Sequence, residues 1–115
     1  MQFVKFAEQD IEPFKKEFAE DIVEGTPEQN VWNYFTGADG TVKSGMWDST
    51  AGVFRGPMNN QIEFCQILEG DARIETADGA SHTVKAGDAF IMDNGLQPVW
   101  HVGKYIRKYY VIVSV

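Results

Sequence analysis

From Asn30 onward the apolar positions fall into short runs cut by glycine turns, a pattern that predicts strands rather than helices. The runs are Val31–Thr36, Val42–Trp47, Gly52–Arg55, Gln61–Leu68, Ala72–Thr76, Ser81–Val84, Ala89–Met92, Gln97–Val102 and Ile106–Val115. Asp39-Gly40, Asp78-Gly79 and Asn94-Gly95 supply the positive-φ residues that tight turns need. Asp78-Gly79, lying between two short alternating runs, is the strongest hairpin signal. Many short strands with no long helix between them predict an all-β, antiparallel sandwich or barrel. The last run, Tyr109–Val113, is apolar on both faces, so both are expected to be covered, one by the core and the other by a second sheet or a partner subunit.

The first thirty residues read differently. Phe14, Phe18 and Ile22 recur every four positions, with Pro13 placed to open a helix and Gly25 to close it. The same segment also reads as an extended arm lying on another sheet, and periodicity does not separate the two. Residues 1–30 are expected to form an arm and residues 31–115 the barrel, as one domain.

Composition narrows the function. Of the 115 residues 43% are hydrophobic and 23% charged, enough for one core without staples. The net charge of −7 argues against nucleic acid or an anionic membrane, because phosphate binding needs clustered Lys and Arg. Arg107-Lys108 is too short a basic run to serve. The one cysteine, Cys65, excludes an internal disulfide and a Cys-only zinc site. No apolar stretch is long enough to span a bilayer, and Met1–Lys5 lacks the features of a secretory signal, so a cytoplasmic protein is expected.

Two segments carry a resemblance. Glu63-Phe64-Cys65-Gln66-Ile67-Leu68-Glu69-Gly70 is followed, after a hairpin, by Lys85-Ala86-Gly87-Asp88-Ala89-Phe90-Ile91 and then Asn94-Gly95. This arrangement resembles the cupin superfamily (RmlC-like jelly rolls), and within it the small single-domain cupins related to ureidoglycine aminohydrolase. Gly45–Asp48, Ala51–Phe54 and Trp100 with Arg107–Ile112 extend the similarity. The resemblance implies a double-stranded β-helix, and a homodimer formed through outer sheets and the N-terminal arm. Gly70 and Gly87 read as turn positions that a Cβ would obstruct, and Asp88 as a turn residue accepting backbone N–H bonds.

Cupins of the resembling kind hold a divalent metal with His and Glu ligands. Matched through the two motifs, those positions fall on Pro57 (or Gly56), Asn59 (or Met58), Glu63 and Pro98. One carboxylate and one amide remain, too few for a stable transition-metal site. No cofactor is therefore expected. His101 should face away from the pocket that Trp100 faces, and His82 sits in the outer hairpin.

The residues expected at the pocket are Trp47, Asn59, Glu63, Cys65, Gln97 and Trp100. Glu63 needs a partner inside an apolar barrel, for which Arg55, Arg107 or a ligand cation are the candidates. Cys65 reads either as a weak soft-metal donor or as an inert core thiol. Three functions follow: a small-molecule-binding cupin, an enzyme on a ureido or amidino metabolite with Glu63 as general base, or a structural subunit whose pocket its own side chains fill.

Overall fold

The computed structural model describes residues 1–115, and its regular structure is eight antiparallel strands with three single 3-10 turns. These are β1 (Phe14–Lys15), β2 (Ile22–Glu24), β3 (Gln29–Gly37), β4 (Val42–Arg55), β5 (Gln61–Glu75), β6 (Ser81–Lys85), β7 (Ala89–Met92) and β8 (Val99–Ser114). The three long strands β4, β5 and β8 lie side by side and belong to both layers of the roll. Their outer neighbours divide by layer. β3 and β1 extend from the first half of β4, and β7 flanks the first half of β5. β2 pairs the end of β4, and β6 the end of β5. This is the double-stranded β-helix that the sequence predicts.

Three pairs of expected strands are single strands. Val42–Trp47 with Gly52–Arg55 form β4, Gln61–Leu68 with Ala72–Thr76 form β5, and Gln97–Val102 with Ile106–Val115 form β8. The breaks between them are bends, marked by register shifts at Thr50/Gly52, Ile67/Glu69 and Gly70/Arg73. A bulge turns a strand from one sheet into the other while its ladder continues on both sides, so local sequence reads it as a turn.

Gly70 shows why the bend needs glycine. Its φ is +79°, and a Cβ there would collide with the Tyr105 carbonyl of the neighbouring strand. Gly87 differs from the expectation: its φ is +96°, but a Cβ would meet open space, so only backbone conformation favours glycine. Gly70→Ala should therefore cost about 3 kcal/mol or more, and Gly87→Ala only about 1 kcal/mol. Thermal denaturation of the two variants checks this, and equal losses would contradict the bend.

The turn chemistry is as expected at Asp39-Gly40, with φ of 57° and 87°, and at Gly79 and Gly95, with φ of 86° and 84°. At the β5–β6 hairpin the Ala80 N–H donates to Asp78 Oδ1. Asp88 accepts the Lys85 N–H at 2.9 Å, as a turn residue.

The N-terminal segment is an arm of two short strands and two single 3-10 turns, Phe6–Glu8 and Ala19–Asp21, rather than one continuous helix over Pro13–Gly25. Its two short strands pair with the free edges that β3 and β4 offer, where backbone hydrogen bonds are available. The four-residue spacing of Phe14, Phe18 and Ile22 serves separate contacts instead. Phe18 packs edge-on against Phe54, Ile22 pairs with Phe54 across the ladder, and Phe14 pairs with Val31. Earlier in the arm, Phe6 packs on Tyr34 and Tyr109, covering part of the outer face of β8.

Candidate functional site

Strand alternation aims Glu63, Cys65 and Ile67 of β5 into the barrel, together with Ile106, Lys108, Tyr110 and Ile112 of β8. Cys65, Ile67 and Ile106, at most 1% exposed, close the interior below. Above them opens a cavity of about 530 Å³, walled by Trp47, Phe54, Met58, Met92 and Trp100 among others. Glu63 and Lys108 form its buried polar base.

Lys108 donates to Glu63 Oε2 at 2.7 Å, and the Cys65 thiol donates to the same oxygen at 3.2 Å. Lys108 Nζ also lies 3.5 Å from Cys65 Sγ and 4.7 Å from the ring centroids of both Trp47 and Trp100. The ammonium is thus boxed between a carboxylate and two indole faces, a favourable cation–π arrangement in a desolvated setting. Burial works against its charge, but the hydrogen bonds to Cys65 and Glu63 and the charge of the Glu63 carboxylate outweigh burial and hold Lys108 above the ordinary lysine range. Burial in turn pushes the Cys65 thiol up to about 12 and the Tyr110 hydroxyl up to about 12. Cys65 is therefore a protonated thiol at neutral pH, not a thiolate ligand or nucleophile.

The two tryptophans are fixed from behind. Trp47 Nε1–H donates to Gln29 Oε1 at 3.2 Å, and its ring packs on those of Phe54 and Trp100. Their exposures of 7% and 3% leave little free ring face, because Lys108 already occupies it. Asn59 and Gln97 are placed differently from Glu63. Both are exposed, outside the cavity lining, and bonded to each other at 3.1 Å. The structure thus brings Trp47, Trp100, Glu63 and Cys65 together at the base and leaves Asn59 and Gln97 outside.

Neither arginine offered as a partner for Glu63 takes that role. Arg107 points to the outer face, where it lies 3.6 Å from Asp48 and over the Trp32 ring. Arg55 lines the cavity but forms no ion pair with Glu63. Lys108 was the missed residue. Trp100 and Lys108 are eight apart, so alternation along one strand puts both on the inner face. Dividing β8 into two strands broke that count. His101 lies on the other face, its Nε2 2.7 Å from Glu75, and His82 is exposed in the hairpin.

A divalent metal does not fit these residues. Of the matched ligand positions, Pro57 and Pro98 carry no donor, Asn59 is engaged by Gln97, and Glu63 is engaged by an ammonium. No three His, Cys, Asp or Glu side chains cluster anywhere in the chain. A cation placed at Glu63 would also meet the positive charge of Lys108.

Comparison with known proteins agrees with this architecture. A protein of the DUF861 family from Pseudomonas syringae pv. tomato superposes with a TM-score of 0.77 at 24% identity, over 90% of this chain and 45% of its own. This chain therefore spans less than half the length of that relative. The putative ethanolamine utilization protein Q of Salmonella typhimurium superposes with a TM-score of 0.66 at 22% identity, over 76% of this chain and 70% of its own. A DUF861 family protein from Thermotoga maritima is 31% identical over 56% of this chain and 73% of its own, with a TM-score of 0.53. No curated protein matches the chain. Residues 36–110, well over half of the sequence, match the EutQ-like cupin domain. On that match the chain belongs to the EutQ-like cupin domain family.

Proposed function

We propose that this protein is a small-molecule-binding cupin whose ligand enters the open end of the barrel and rests on the Glu63–Lys108 pair. The observation that carries this reading is the cavity of about 530 Å³ with a charged pair at its base and largely apolar walls. Ligand pockets combine such walls with a few convergent polar groups. A scaffold that fills its own barrel would leave no comparable space, so the cavity weighs against the purely structural alternative. The alternative of an enzyme on a ureido or amidino metabolite needs Glu63 as a free general base, with or without metal, and Glu63 is already engaged by the Lys108 ammonium, so no observation favours it.

The protein is small enough for direct observation of its indole N–H signals by NMR. A panel of anionic, neutral and cationic small molecules, titrated into the protein, should contain members that shift the Trp47 and Trp100 signals saturably. Trp32, which lies under Arg107 outside the barrel, should stay in place and serves as the internal control. If no compound in any charge class moves Trp47 or Trp100, the binding reading fails.

A further inference from the structure

The charge of the cavity is opposite to that of the chain. The protein carries −7 overall, yet Lys16, Lys43, Arg55 and Lys108 all line the cavity and Glu63 is its only carboxylate. Lys108 is paired with Glu63, whereas Lys16, Lys43 and Arg55 have no carboxylate within ion-pair distance. Three unpaired cations around one apolar opening focus a positive field into it.

The base is arranged to use that field. An ammonium has three donors. Glu63 Oε2 takes one at 2.7 Å, and Cys65 sulfur takes a second only weakly at 3.5 Å. The protein provides no acceptor for the third, on a side chain that lines the cavity. A carboxylate oxygen arriving there would complete the set with a charge-assisted bond in a desolvated place. Glu63 keeps the lysine charged and oriented, and the two tryptophan faces hold it from the sides.

We propose that Lys108 takes the anchoring place of a metal in this barrel, and that the pocket binds a small organic carboxylate. Lys108 is the buried contact, and Lys16, Lys43 and Arg55 draw the anion to the opening. The assignment rests on the small-molecule-binding reading above and specifies its ligand class.

Isothermal titration with sodium benzoate and sodium succinate, against benzamide, succinamide and benzylamine, separates the two claims. The carboxylates should bind, weakening as salt rises, and the amides and the amine should not. Glu63→Gln alone would leave the Lys108 ammonium buried without its counter-ion, so the two positions are changed together. The double variant Glu63→Gln/Lys108→Met removes both charges, avoids an unpaired buried ion, and should bind carboxylates about 10- to 100-fold more weakly while melting as a folded protein. Undiminished carboxylate binding by the double variant overturns the role of Lys108. Preference for benzylamine or the amides overturns the ligand class and leaves a binding pocket standing. Silence from every compound overturns both.

Discussion

Lys108→Met should lower the unfolding free energy by about 3–5 kcal/mol, because it strands the Glu63 carboxylate in the barrel without its counter-ion. Both side chains are less than a tenth exposed and lie 2.7 Å apart, so the carboxylate left behind is poorly hydrated at the base of the cavity. In a domain of this size such a loss lowers the melting temperature by an amount on the order of 15 °C. Replacing both partners, as Glu63→Gln/Lys108→Met, should return most of that stability, since a buried pair repays little beyond its own desolvation. The measurement is a double-mutant cycle by denaturant unfolding. A single variant as stable as the parent protein would mean that Glu63 finds water or another partner, and the closed base described above would be wrong.

Raising the pH from 8 to 11 should destabilise the protein markedly, and Cys65→Ala should blunt the effect. Burial raises the Cys65 thiol from 9.0 to about 12, and raises the Tyr110 hydroxyl from 10.0 to about 12. Tyr105 is likewise raised to about 12, by desolvation and then by its bond to Asp48. Lys108 is also displaced upward, Cys65 and Glu63 outweighing its burial. Each group holds its proton more tightly in the folded chain than in the unfolded one. Their stabilisation is complete below the unfolded values and is lost as the pH climbs from about 9 towards the folded values. For Cys65 alone the loss by pH 11 is about 2–3 kcal/mol, taking 1.36 kcal/mol per pH unit above 9.0. Tyr105 contributes less, because it is more open to solvent. Chemical denaturation at the two pH values gives the slope directly. If Cys65→Ala loses as much stability as the parent, the thiol is not shielded in the manner the structure shows.

Both predictions turn on the same few atoms, of which some are legible in the sequence and one is not. Glu63 and Cys65 were legible as inward neighbours because they are two apart on one strand, and Trp100 followed from alternation reckoned from position 98. Lys108 was not legible, although it is the residue that defines the site. Its parity with Trp100 holds only if Gly103-Lys104-Tyr105 is a bend within one strand, which local composition does not distinguish from a loop. The same ambiguity made β4 and β5 look like four strands. Asn59 fell on a matched ligand position but lies at the exposed end, bonded to Gln97.

The sequence by itself determined the all-β class, the hairpin turns at Asp39-Gly40 and Asp78-Gly79, the cupin motifs around Gly70 and Gly87, and the poverty of metal ligands. Each of these depends on spacing within a few residues, or on a residue type that is present or missing. Only the tertiary structure decided that the N-terminal segment is an arm, since its strands form on edges supplied by residues distant in sequence. It alone placed Lys108 against Glu63, 45 residues away in the chain, and gathered Lys16, Lys43 and Arg55 around one opening. Charge pairing and cavity formation are properties of neighbours in space, and in a sheet of high sequence separation those neighbours are not written next to one another.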